Sequence, residues 1–228
     1  MSANASKEIM VSYKIGDNEI KLTPKIVKDY IVGTGADITM QEFKFFAELC
    51  KVHKLNPFLR EAYLIKYGNN PAQLIVGKDA ILKRAGEHPQ YDGKETGIIV
   101  KLADGTVEER PGCFVAPGET LLGGWAKVYR KDRAKPEYKS VSLDECIQRT
   151  KDGKPNSNWT KQPATMIEKV AKVRALREAF VDTLEGMLDS TEASSTPSDD
   201  YIDADYQEQP SEPVQDTQDD ESISLNDL

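Results

Sequence analysis

The sequence predicts an α+β fold: a small, mostly antiparallel β-sheet flanked by helices, with a long C-terminal helix and a disordered acidic tail. Three observations carry this expectation. Short stretches of alternating apolar and polar residues are separated by turn residues. Helix-start signals recur between them. Beyond residue 188, apolar content and basic charge fall away together.

Taken in order, Ile9, Val11, Tyr13 and Ile15, then Ile20 and Leu22, alternate as in a short hairpin. Thr23-Pro24 reads as an N-cap followed by proline at the first helical position, with Gly33 just past the end. Thr39-Met40-Gln41-Glu42 has the spacing of a capping box, and Phe43, Phe46, Ala47 and Cys50 form the apolar stripe behind it, up to Asn56-Pro57. Strands are expected at about 61–67 and 73–76, then a helix at about 78–86 closed by Gly86. Residues 97–130 read as a β-meander, with a strand Gly97–Leu102, a tight turn at Ala103-Asp104-Gly105 and a later strand Gly123–Arg130. Ser142-Leu143-Asp144-Glu145 again fits a capping box, and 150–158 reads as a polar, flexible loop. Pro163 opens the longest helix, about 163–187.

Charge is divided unevenly along the chain. Of 38 acidic residues, thirteen fall in 189–228, where there is no Lys or Arg; the other 25 face all 30 basic residues. A formal charge of −8 is thus a +5 body joined to a −13 tail. Such a body attracts polyanions and its tail repels them, which makes nucleic acid the first partner to consider. The expected organisation is a body of residues 1–188 and a tail of 189–228. The tail would compete with DNA, dock a partner or only solubilise.

Several function classes lack their residues. Cys50, Cys113 and Cys146 are odd in number and form no CxxC pair, which points to a reducing compartment. His53 and His88 stand apart from any ligand cluster, so a zinc site is not expected. No apolar run approaches the roughly 20 residues that span a bilayer, and the N-terminus has no signal-peptide core. A cytoplasmic protein without membrane contact is expected. Gly77-Lys78-Asp79 is not a phosphate loop, because residue 72 is Ala and Asp79 replaces the required Ser/Thr. The carboxylates Asp92, Glu95, Asp104, Glu108 and Glu109 fall in polar turns without the spacing of a nuclease metal site.

Cations and aromatics form three groups. On the last helix Met166, Val170, Val173, Leu176 and Phe180 share an apolar face, with Lys169, Lys172 and Arg174 away from its centre. Those cations are either a solvated face or phosphate contacts. Arg177 falls within the stripe, where it must be a buried pair with a carboxylate or a phosphate clamp at the rim of a groove. Tyr129-Arg130-Lys131-Asp132-Arg133, with Lys135 and Tyr138 nearby, mixes rings and cations as base-stacking surfaces do. Trp159, with Lys161 close behind, is a core plug or a stacking platform.

These segments together resemble a known family. Leu55-Asn56-Pro57-Phe58 followed by Arg60-Glu61-Ala62-Tyr63, then Val76-Gly77-Lys78-Asp79, Gln90-Tyr91-Asp92-Gly93 and Tyr129-Arg130-Lys131-Asp132-Arg133 match its motifs in order. Trp159, Pro163, Met166-Ile167, Lys169, Arg177 and Ala179-Phe180 continue the match, which extends over residues 40–181. The chain is similar to the RecT/Redβ (Bet) single-strand annealing proteins of phages and prophages. The resemblance implies a non-enzymatic protein that binds and anneals single-stranded DNA without ATP, as a ring or helical filament. It implies a 5′→3′ exonuclease as partner, a host single-strand-binding protein as a further one, and no cofactor beyond Mg²⁺ carried by the DNA. By that match Lys78, Arg130, Lys131, Arg133, Trp159, Lys169 and Arg177 line the DNA groove, with Lys161 beside them. A passive single-strand-binding protein is the nearest rival, followed by a metal-dependent nuclease and a protein–protein adaptor.

Overall fold

Four antiparallel strands in the order β6–β5–β7–β8 make the main sheet: β5 (Tyr91–Lys101), β6 (Val107–Pro111), β7 (Thr120–Arg130) and β8 (Glu137–Ser142). They belong to a computed structural model that describes residues 9–32, 36–66, 70–150 and 152–191. Two smaller antiparallel hairpins precede this sheet, β1 (Val11–Ile15) with β2 (Asn18–Leu22), and β3 (Ala62–Ile65) with β4 (Gln73–Val76). Among the described residues the helices are α1 (Pro24–Ile26, continued by a wider turn Val27–Ile31), α2 (Met40–Val52), α3 (Lys78–Glu87), α4 (Leu143–Cys146), α5 (Ser157–Lys161), α6 (Pro163–Ala179) and α7 (Val181–Leu184). The fold is α+β with small antiparallel sheets, as the alternation and helix-start signals predicted.

The predicted start signals act through the atoms expected of them. Thr23 Oγ1 accepts from the Ile26 amide at 3.2 Å, with Pro24 at the first helical position. Thr39 and Glu42 form the full capping box, Thr39 N–H to Oε2 at 2.7 Å and Glu42 N–H to Thr39 Oγ1 at 3.1 Å. The Glu42 carboxylate reaches further, accepting from Ala72 N–H at 2.7 Å and from Lys66 Nζ at 3.0 Å. Burial works against its charge, but the donors at Thr39, Ala72 and Lys66 prevail and bring its pKa from an ordinary 4.5 to about 2. Phe43, Phe46, Ala47 and Cys50 are fully buried beneath α2, as their spacing required.

Other elements differ from the sequence reading. Gly86 lies inside α3, which runs on to Glu87 and stops ahead of Pro89. Strand β5 begins at Tyr91, six residues before the predicted start, because Tyr91–Thr96 pair with β7. Strand β8 was not predicted; it occupies Glu137–Ser142, where the sequence shows only a basic cluster and a helix start. Ser142 makes no side-chain cap to α4. The stretch read as a flexible loop at 150–158 contains a turn closed by an Arg149–Pro155 bridge, and Asn156 caps α5 through the amides of Asn158 and Trp159. The last helix ends at Ala179 and not near 187: Phe180 (φ −129°, ψ 53°) breaks it before the short α7. Gly33 lies outside the described residues.

Helix α6 packs across β7 and β8 and is buried nearly all round. Besides the predicted Val170, Val173 and Leu176, its Ile167, Ala171, Ala175 and Ala179 are buried, and even Glu168 is 7% exposed. Ala171, Ala175 and Ala179 recur at four-residue spacing, so neighbours approach that side closely. Gly124 of β7 comes close to the helix backbone: a Cβ there would sit 2.6 Å from the Ile167 carbonyl oxygen. Packing continues past residue 188, since Leu188 accepts from Val76 N–H at 2.7 Å, and Gln148 Nε2 donates to the Ser190 carbonyl at 2.9 Å. Of the expected acidic tail, 189–228, residues 192 onward lie outside the described residues.

Candidate nucleic-acid interface

Strand β7 runs its alternating side chains into two different surroundings. Gly124, Ala126 and Val128 face α6; Trp125 and Lys127 face the opposite way. At its end the chain leaves the sheet and turns through Lys131–Lys135 before returning as β8. Lys131, Arg133 and Lys135 are exposed on this turn. Arg133 is 3.7 Å from Glu137 and its side chain is 48% exposed; among the described residues Lys131 and Lys135 have no carboxylate within ion-pair distance. The turn is anchored from below, with Lys131 N–H donating to the Gln90 carbonyl at 2.9 Å.

Arg130 points inward from the same turn. Its Nε and Nη2 hold both oxygens of Asp132, at 2.8 and 2.7 Å, and its Nη1 donates to the Ala179 carbonyl at 2.6 Å. The guanidinium carbon lies 4.9 Å from the centre of the Phe180 ring. The hydrogen bonds from Arg130 hold the Asp132 carboxyl at about 2, and Asp132 in turn raises the guanidinium. Lys139 of β8 forms an ion pair with Glu178, a second tie between this sheet end and the end of α6. Beyond that tie a cavity of about 360 Å³ is lined by Arg174, Arg177, Glu178, Val181, Leu184 and Glu185. Arg177, half-buried, stands in its wall, and Arg174 lies between it and Cys146, whose thiol burial pushes up.

The remaining predicted contacts are distributed elsewhere. Lys169 turns to the C-terminal segment: its Nζ is 3.0 Å from Asp189 and donates to Ser190 Oγ at 3.1 Å, and Asp189 is 1% exposed. Lys172 lies 2.8 Å from Glu168, one turn back along α6. The expected solvated flank of the helix is therefore an internally paired one. The reason is that Lys169 is covered by Asp189 and Ser190, while Glu168 and Lys172 lie beside Cys113 in the loop after β6, so cations there need counter-charges. Lys78, at the start of α3, lies 3.6 Å from Asp79. Lys161 is exposed at the end of α5. Trp159, on the same helix, is 1% exposed within the main core and its Nε1 has no hydrogen-bond partner among the described residues. Of its two sequence readings, the structure places it as the core plug; no face is open for a base to stack on.

One group escaped the sequence reading. Lys127 Nζ lies 5.0 Å from the Trp125 ring centre and 5.9 Å from that of Tyr138, across the β7–β8 pair where Lys127 and Tyr138 are register partners. The alternation of Trp125 and Lys127 was visible in the sequence, but their partner became apparent only with β8. Tyr138 also donates to Glu109, and Tyr129 to Glu95 at 3.1 Å, so this side of the sheet carries acid as well as base.

A family model described as the RecT family matches residues 17–208, and the chain belongs to that family. It is also similar to recombination protein bet of Escherichia phage lambda, at 26% identity over 143 residues. That match covers 61% of this chain and 46% of the phage protein, so the chain aligns with about half the length of that curated relative. Among the described residues no helix is long and apolar enough to cross a membrane.

Proposed function

We propose that this protein binds single-stranded DNA and anneals complementary strands in phage-type homologous recombination. The carrying observation is the exposed Lys131–Arg133–Lys135 turn held against the α6 end that bears Arg174 and Arg177. Family membership over residues 17–208 and the likeness to a recombination protein support the same reading. Annealing is downhill, since each base-pair step of duplex contributes about 1.4 kcal/mol of stacking. The kinetic obstacle is repulsion between two polyanions. A surface that neutralises backbone phosphates and leaves base edges free removes it, with neither ATP nor a reacting residue required.

Lys131, Arg133, Arg174 and Arg177 are the proposed strand contacts, with Lys161 and Lys78 at the margins. Lys169, Lys172 and Trp159 support the scaffold. Residues 1–188 are the proposed annealing domain, with Asp189 and Ser190 tied back onto it. A body charge of +5 is modest against a strand carrying one charge per nucleotide, so several copies along the strand would act together, as a ring or filament. A 5′→3′ exonuclease that exposes the strand and a host single-strand-binding protein are the proposed partners, in the cytoplasm of an infected cell. Mg²⁺ would act only through the DNA.

The test is energy transfer between two complementary, end-labelled oligonucleotides mixed with and without protein, in the absence of ATP, followed by a denaturing gel. Faster pairing with intact strands is the expected result. Bound strands that pair no faster would identify a passive binder, and shortened strands a nuclease.

A further inference from the structure

Arg130 belongs to the basic run of the turn, yet its side chain is only 12% exposed. A guanidinium has two edges able to grip an anion in a paired fashion. The Nε/Nη2 edge is taken by Asp132, and Nη1 on the other edge is taken by the Ala179 carbonyl. One face is covered by Phe180, whose ring also touches His88 at 4.8 Å and Tyr91 at 6.0 Å. Tyr91 is the β5 register partner of Arg130. The Ala179 carbonyl is one of those that a helix end leaves without an internal donor, and a cation suits the negative end of the helix. Arg130 thus meets α6 where α6 stops, and the break at Phe180 supplies the ring on which it rests.

We propose that Arg130 is a positioning residue and not a phosphate ligand. It clamps the turn that carries Lys131 and Arg133 to the helix end that carries Arg174 and Arg177, and so fixes the spacing of the two sets of cations along one strand. Asp132 completes the clamp by holding the guanidinium in orientation. The assignment rests on the DNA-binding reading above.

The two roles open to Arg130 predict opposite signs. If Arg130 grips phosphate, Asp132 competes with DNA, so Asp132→Asn tightens binding and Arg130→Lys, which keeps the charge, stays close to wild type. If Arg130 positions the turn, Asp132→Asn weakens binding, and Arg130→Lys falls as far as Arg130→Gln, about tenfold, because a lysine lacks the planar fork that grips both Asp132 oxygens while a third nitrogen reaches the Ala179 carbonyl. The measurement is fluorescence anisotropy of a labelled oligo(dT) with the full-length protein across a salt series. A double variant separates positioning from a diffuse loss of structure: Lys131→Gln should cost much less in the Asp132→Asn background than in wild type, since Lys131 is then already misplaced. Full additivity would overturn the proposal, as would tighter binding by Asp132→Asn. Asp132 is 42% exposed at its side chain, so its asparagine variant leaves the core intact if Arg130→Gln fails to fold. If wild type does not bind oligo(dT), the annealing reading falls and this assignment falls with it; binding by wild type with near-normal Arg130→Lys overturns the assignment alone.

Discussion

The cations of α6 and those of the β7–β8 turn look alike in sequence and live under different physical conditions. Lys169 and Lys172 lie within reach of Asp189 and Glu168, carboxylates that are 1% and 7% exposed. Lys131 and Lys135 face solvent on a turn. A lysine under a packed layer must find a counter-charge, and once it has one it is no longer available to a phosphate. A lysine on a turn meets an anion at a much smaller desolvation cost. Burial, more than position in a family motif, therefore separates the internally paired cations from those proposed to meet a strand.

The largest effect should come from the buried side. Trp159→Ala removes the largest of the fully buried side chains and should cost about 4 kcal/mol in a urea titration. The variant, where still folded, should bind oligo(dT) as wild type does; a selective loss of binding without a shift in midpoint would return Trp159 to the interface.

Lys169→Ala should follow, at about 3 kcal/mol, because it leaves the Asp189 carboxylate buried without the Lys169 cation 3.0 Å away. Replacing both, Lys169→Met with Asp189→Leu, should recover most of that loss. Lost DNA affinity with unchanged stability would mean that Lys169 leaves its partner to meet the strand.

Glu42 gives a smaller, pH-dependent effect. Its pKa falls from 4.5 to about 2 on folding, so its stabilising contribution is complete above pH 4.5 and is lost as pH drops from there toward 2. Glu42→Gln should lower stability by ~2 kcal/mol at pH 7 and flatten the acid limb of the stability profile. Parallel acid limbs for the two proteins would show that other carboxylates dominate it.

The exposed side should respond least in stability. Lys131→Ala, Arg133→Ala and Lys135→Ala together should move the unfolding midpoint by no more than about 0.5 kcal/mol. Their signature is in binding: the slope of log affinity against log salt should fall by about 0.7 for each phosphate no longer neutralised. An unchanged slope would remove the turn from the interface.

Much of this fold was legible because its signals are local. The Thr39–Glu42 box, the Thr23-Pro24 start and the buried stripe of α2 are each satisfied within a few residues. Strand β8 was hidden because Glu137–Ser142 includes Tyr138, Lys139 and Ser140, polar groups tolerated at an edge that only β7 pairs with. The end of α6 was hidden for a related reason. Nothing local stops a helix at Ala179; the Arg130 donor and the ring contacts of Phe180 come from residues about fifty and ninety positions earlier. The candidate site was legible as a set of cations and illegible as a selection among them.

By itself the sequence determined the α+β class, the order of most elements, the charge division between body and acidic segment, and the family. Each depends on composition, on short-range pattern or on motifs in linear order. The tertiary structure alone decided which cations are paired inside and which meet solvent. That choice depends on what covers α6, on Asp189 returning to Lys169 and on Asp132 turning back to Arg130. The cost of burying a charge is set by its surroundings in space, and those surroundings are assembled from parts of the chain that no local pattern connects.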